Sequence, residues 1–207
     1  LILSVEIKVT TNSLHLARGK WKNALSNFNQ GSLMSRILVL TAHRFPDESW
    51  INKTLIEALR PLPNVTIHEL MRVYPDYQID VAREQELLQG HDAVVMLFPF
   101  YWYSSPAILS EWQDAVLTHG FAYGSEGTKL QGKPLQLVVT TGGNQQAYTP
   151  EGYNRYPVAD LLRPFHAMAN LTGMDYLPPY LVQGVFDISE ERLAQEAAGV
   201  VALLKKL

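Results

Sequence analysis

The sequence predicts an α/β fold: a five-stranded parallel sheet in a three-layer sandwich, with helices on both faces. Three observations lead there. Short continuous apolar runs, at 37–40, 93–98 and 135–139, read as strands buried on both sides, as a parallel sheet requires. Segments with apolar residues at helical spacing separate them. The two signals alternate to the end of the chain, which selects right-handed crossovers and helices on both faces. For five strands the expected order is 2-1-3-4-5.

The elements follow in turn. Ile37, Leu38, Val39 and Leu40 run into Thr41, Ala42 and His43. A polar stretch from Phe45 to Ser49 leads to Ile51, Leu55, Ile56 and Leu59, the inner face of a first helix that Pro61 and Pro63 stop. Val65, Ile67 and His68 give a second strand, and Val81, Leu87 and Leu88 a helix before Gly90. Ala93 to Phe98 is the most hydrophobic stretch and the central strand. Ser105 and Pro106 predict a helix start with proline in the first helical position. Ile108, Leu109, Trp112 and Val116 form that helix's inner face, and Gly120 is placed to stop it. Leu135 to Val139 is a strand closing at Thr140, Thr141, Gly142 and Gly143. A long loop to Tyr156 precedes a helix through Leu161, Phe165 and Ala169. Leu181 to Val185 is the last strand, and Glu190 to Leu204 a final amphipathic helix. Glu84 and Glu86 read as a solvated helix face, and His68 and His166 as ordinary element residues.

The chain has 207 residues, is 47% hydrophobic and 18% charged, and has no cysteine. This is a normal globular balance for one domain, assigned to residues 34–207. The missing thiols exclude disulfides, thiolate metal sites and thiol nucleophiles. A net charge of −3 gives no footprint for nucleic acid. Residues 1–33 differ from the rest: Lys8, Arg18, Lys20 and Lys22 against Glu6 alone give +3, leaving −6 for the remainder. This leader is expected to be extra sequence upstream of a native start at Met34. A targeting peptide and a basic arm for an anionic surface are the other readings.

Ligands of open parallel sheets bind beyond the C-terminal strand ends, near the switch in strand order. That rule selects 43–52, 99–105 and 140–156. The first leads into a helix N-terminus, where free amides and the dipole favour a phosphate; His43, Ser49, Trp50, Ile51 and Asn52 are its candidates. Ser49 and Asn52 are equally ordinary capping residues. The second packs Phe100, Tyr101, Trp102 and Tyr103 into a loop, where no core periodicity explains them. A flat aromatic ligand or a subunit interface does. The third offers Thr140, Thr141, Gly142 and Gly143, glycines that admit close backbone approach or make a plain tight turn. One phenol among Tyr148, Tyr153 and Tyr156 can stabilise charge on a bound ring. No phosphate-binding glycine fingerprint, GxSxG elbow or metal-ligand spacing of the six histidines is present.

Thr41-Ala42-His43, Pro99 with Trp102-Tyr103, Pro106-Ala107-Ile108-Leu109 and Thr140-Thr141-Gly142-Gly143 together resemble the flavodoxin-like NAD(P)H:quinone reductase family. Tyr74-Pro75-Asp76-Tyr77, Ile79-Asp80, Arg83-Glu84-Gln85, the 119–124 segment and Asn154-Arg155-Tyr156-Pro157 are most similar to ancillary proteins of glutathione-regulated potassium-efflux (Kef) systems. The resemblance covers 34–207. It implies FMN, with FAD as the alternative, held by the three segments above, and NADPH or NADH as reductant of quinone-like acceptors. Tyr148, with Gly142 and Gly143, takes the catalytic position; Asn154 stands where the family has a histidine. Two further roles fit the resemblance: a regulatory flavin-binding subunit, or an azo or nitro reductase without a transporter. A homodimer is implied, with the Trp112 helix and the aromatic loop as interface material. So is a cytoplasmic location, with a Kef-type transporter as partner at the inner membrane.

Overall fold

The computed structural model describes residues 34–207; expectations for 1–33 lie outside the described residues. Its elements in chain order are β1 (Ile37–Thr41), α1 (Trp50–Leu59), β2 (Val65–Glu69), α2 (Leu70–Val73), α3 (Val81–Gly90), β3 (Ala93–Pro99) and α4 (Ala107–Val116). There follow β4 (Pro134–Thr141), α5 (Val158–Leu161), α6 (Arg163–Thr172), β5 (Asp175–Tyr176), β6 (Tyr180–Gln183) and α7 (Glu190–Leu204). One-turn 3₁₀ segments lie at Gln145–Tyr148 and Val185–Asp187.

All neighbours in the sheet are parallel, in the order β2-β1-β3-β4-β5, with β6 also on β4. Every residue of β1 and β3 is buried, as their unbroken apolar runs demand. Alternate side chains serve opposite cores. Val95 and Leu97 point with Ile37 and Val39 toward Leu55 and Leu59 of α1 and Leu193 and Val200 of α7. Val94, Met96 and Phe98 point with Leu38 and Leu40 toward Leu88 of α3, Ile108 and Trp112 of α4 and Phe165 of α6. The expected sandwich is thus present.

Four local expectations need correction. The fifth strand position is not a single run over 181–185 but two pieces, β5 and β6. Leu135 pairs with Tyr176 and Val138 with Tyr180, so two β4 residues face three residues opposite. Pro178 and Pro179 in that gap have no N–H for the ladder. The buried Gln136 amide fills in, donating to Pro178 O and Leu137 O, both at 2.9 Å. Pro106 is the N-cap of α4 rather than its first residue, with extended φ −55°, ψ 145°. That helix ends at Val116, before Gly120, which instead adopts φ 81° within the following loop. The helix expected through Leu161 and Ala169 is divided between α5 and α6, because Pro164 can neither donate an N–H nor sit against the carbonyl four residues back.

Glu84 is the largest departure. It is not solvated but fully buried, 0% exposed, on the α3 face that carries Leu88. Its Oε1 accepts from Tyr74 Oη at 2.6 Å and lies 2.8 Å from His68 Nε2; its Oε2 accepts from Trp112 Nε1 at 2.8 Å. Burial alone raises a carboxyl pKa, yet the donors from His68, Tyr74 and Trp112 together hold this one below its ordinary value. Trp112 is fully buried by the same arrangement, so its indole belongs to the core and not to a subunit interface.

Candidate functional site

The three segments selected from the sequence meet at one rim, the C-terminal edge of the sheet. Backbone bonds fasten them: Ala42 N–H donates to Leu97 O at 3.1 Å, and Phe100 N–H to Thr140 O at 2.8 Å. Behind them Gly184 N–H donates to Gly143 O at 2.9 Å.

In the first segment Ser49 is the N-cap of α1, accepting from Asn52 N–H at 3.2 Å. The capping role is therefore realised; Trp50 N–H donates to Glu48 O at 3.1 Å, which leaves the Ile51 amide without an intrahelical partner. Asn52 is buried, and its Oδ1 accepts a long 3.4 Å bond from Thr140 Oγ1, joining α1 to the end of β4. Trp50 is half exposed and Ile51 partly buried. His43 Nδ1 accepts from Phe45 N–H at 3.0 Å, so the neutral ring carries its proton on Nε2 and donates to Tyr101 Oη at 2.9 Å. Burial lowers the His43 pKa and favours that neutral form; burial likewise raises the Tyr101 phenol.

The second segment is a tight reversal. Tyr101 and Ser104 exchange backbone bonds at 3.1 and 3.0 Å around Trp102 (φ 50°) and Tyr103 (φ 62°). Two successive positive φ values define a turn normally built from Asn-Gly. Here two bulky aromatics occupy it, at about 1–2 kcal/mol of strain each. Trp102 is 93% exposed. Phe100 faces inward, 6.4 Å between ring centres from Tyr103 and 6.2 Å from Tyr148.

In the third segment Thr141 Oγ1 donates to Gly143 O at 2.7 Å, and Asn144 caps the 3₁₀ turn through Ala147 N–H at 3.1 Å. Neither Gly142 nor Gly143 has positive φ; exposed aromatic side chains close over both instead. A Cβ on Gly142 would lie 2.3 Å from the Phe186 ring, and one on Gly143 2.7 Å from Tyr153 Oη. Tyr148 is partly buried, which pushes its phenol pKa up and keeps it a proton donor at neutral pH. Tyr103 Oη donates to Asn154 Oδ1 at 3.0 Å, tying the second and third segments together.

Phe186, 88% exposed beside Gly142, was not among the residues selected from the sequence. The strand-end rule applied to the last strand as well would have found it, since it follows β6 by three residues. With Tyr153, whose Oη lies beside Gly143, it puts exposed aromatic surface next to the glycine pair, and Trp102 and Tyr103 add exposed rings on the second segment. Amides at a helix start, glycine amides and flat apolar walls together suit a phosphorylated planar cofactor.

Comparison with known proteins agrees with this geometry. General stress protein 14 of Bacillus subtilis is 47% identical over 162 residues, 78% of this chain and 93% of that protein. An uncharacterized NAD(P)H oxidoreductase of the same organism, YrkL, is 41% identical over 82% of this chain and 98% of its own. The potassium-efflux ancillary protein KefG of Cronobacter sakazakii is 44% identical over 73% of this chain and 82% of its own. Among solved structures, general stress protein 14 of Treponema denticola in complex with FMN superposes with a TM-score of 0.80 at 36% identity, covering 83% of this chain and 98% of that one. An NADPH-quinone reductase of P. pentosaceus gives 0.73 at 34%, covering 79% and 94%. Residues 35–204 match the flavodoxin-like fold family, and the chain belongs to it, in the company of NAD(P)H oxidoreductases and Kef ancillary proteins.

Proposed function

We propose that this chain binds FMN non-covalently at the rim and uses NAD(P)H to reduce quinone-like acceptors. The observation that carries the reading is the convergence of the three loops at one edge, fastened by backbone bonds and by Tyr103 to Asn154, with the exposed rings of Phe186 and Tyr153 beside Gly142 and Gly143 and those of Trp102 and Tyr103 on the neighbouring turn. FMN, when bound, supplies reversible hydride transfer. The residues of the chain do the rest. The first turn of α1, beginning at Trp50, Ile51 and Asn52 and flanked by His43 and Ser49, receives the phosphate. Phe100, Tyr101, Trp102 and Tyr103 wall the ring, and Thr140, Thr141, Gly142 and Gly143 supply backbone to its edge. Tyr148 donates a hydrogen bond where negative charge develops, because burial keeps its phenol protonated. Asn154 moves no proton: a carboxamide does not titrate, and its oxygen is engaged by Tyr103.

The test is the visible spectrum of the purified protein and its anaerobic response to NADPH and NADH. A flavin band that releases FMN on denaturation, and that bleaches with reductant, is expected. A colourless protein that takes up no FMN refutes the reading.

A second role has its own support: the KefG relatives, together with the non-titrating Asn154 in place of a proton-relaying histidine. In that role the chain is a homodimeric regulatory partner of a Kef-type transporter on the cytoplasmic face of the membrane. No helix among the described residues is long and apolar enough to cross a membrane itself. Full restoration of potassium efflux by a Tyr148→Phe variant whose turnover is slowed would separate regulation from catalysis.

A further inference from the structure

A groove of about 440 Å³ lies beside the 101–104 turn, lined by Arg44, Tyr77, Tyr101, Trp102, Ser104, Ser105 and the start of α4. Its size is that of a small-molecule site. Arg44 is its only charged lining residue, is exposed, and has no carboxylate partner among the described residues. Asp47 binds Arg72 at 2.6 Å and Glu69 binds both Arg60 and Arg72, while the Arg44 guanidinium lies 5.1 Å from the centre of the Phe45 ring. Three aromatic residues, Tyr77, Tyr101 and Trp102, share the groove with that guanidinium, and two serine hydroxyls complete a polar edge.

This combination of a lone cation, flat aromatic walls and hydroxyls suits an aromatic nucleoside bearing phosphate: guanidinium to phosphate oxygens, rings to the base. Tyr101 belongs both to this groove and, through its 2.9 Å bond with His43, to the phosphate-binding segment, so the two sites are contiguous. We infer that the groove holds the phosphorylated adenosine end of the nicotinamide coenzyme, with Arg44 as the residue that reads its phosphate. The inference rests on the reductase reading above and adds to it the place where the reductant docks.

Adenosine 2′,5′-bisphosphate is the probe, titrated calorimetrically into the FMN-saturated protein, with AMP and inorganic phosphate in parallel. Saturable binding of the bisphosphate is expected, at least tenfold weaker in Arg44→Ala. The KM for NADPH should rise by a similar factor. Arg44 is exposed, so the variant folds, and its FMN content, measured after denaturation, is the control. Absence of bisphosphate binding, or binding unchanged by Arg44→Ala, overturns the inference. So does loss of FMN from the variant, which would assign Arg44 to the cofactor. Inorganic phosphate binding as tightly as the bisphosphate would reduce the groove to an anion site and overturn the nucleoside assignment. A protein that binds the bisphosphate through Arg44 but is not reduced by NADPH would retain the groove and refute only the reductase reading.

Discussion

Replacing Glu84 should damage the protein more than any change at the rim. In Glu84→Ala, three donors lose their acceptor at once: Tyr74 Oη, Trp112 Nε1 and the His68 Nε2 proton, all in a buried position. Each orphaned donor costs about 1–3 kcal/mol, relaxation recovers part of it, and a net loss of about 3–5 kcal/mol follows. For a domain of this size that is a fall in Tm of roughly 10 °C. Glu84→Gln should cost only about 1–2 kcal/mol. Its carboxamide can turn its oxygen to the Trp112 indole and its NH₂ to Tyr74 and His68, both of which can accept. The folded carboxyl titrates below its ordinary value of 4.5, so its stabilisation is present above that pH and disappears as pH falls through the lowered folded value. The gap between wild type and Glu84→Gln should therefore be full at pH 7 and close in acid. Urea unfolding followed by circular dichroism from pH 7 to pH 3 measures it. A Glu84→Ala variant within 1 kcal/mol of wild type at pH 7, or a gap to Gln that widens in acid, would refute the account of this cluster.

Trp102→Gly should raise stability, by about 1 kcal/mol, because glycine accepts the positive φ that tryptophan adopts under strain. The same change should weaken FMN binding, and thermal melts with and without added FMN check both signs. Tyr148→Phe should retain FMN but slow reduction of the acceptor by about tenfold to 100-fold, as stopped-flow kinetics would show. The wild-type rate should stay level through pH 8 to 9, because the Tyr148 phenol titrates above its ordinary value of 10.0.

What was legible in the sequence was what periodicity encodes. β1, β3 and β4 are unbroken apolar runs, and a residue buried on both faces leaves no other composition available. The end of the sheet was harder, because Pro178 and Pro179 delete ladder donors and the gap is bridged by the Gln136 side chain, a partner 42 positions away. Glu84 carried a readable signal that was passed over. Val81, Glu84 and Leu88 lie at i, i+3 and i+7, so the carboxylate interrupts an apolar stripe rather than joining a solvated one. Its three donors come from β2, the turn after α2 and α4, and no local pattern announces that they converge. At the rim the strand-end rule selected three segments that the fold brings together, and capping preference pointed to Ser49, but neither could show that Asn154 holds Tyr103 or that Phe186 overhangs Gly142.

These differences follow one physical division within the molecule. On the α3–α4 side, polar groups are buried and satisfied: the Glu84 cluster binds four elements together, and no buried side-chain polar atom among the described residues lacks a partner. At the rim the opposite holds. Two aromatics sit in left-handed backbone, exposed rings close over the glycine pair, and large apolar rings face water. Such a surface costs stability in the isolated chain, so it persists only where the rest of the fold can offset it and something gains from having it open. The buried carboxylate hub meets the first requirement. Ligand binding meets the second, and this makes the expected signs opposite: substitutions at the hub lower stability without touching the cofactor seat, whereas relief of strain in the turn raises stability and loosens it.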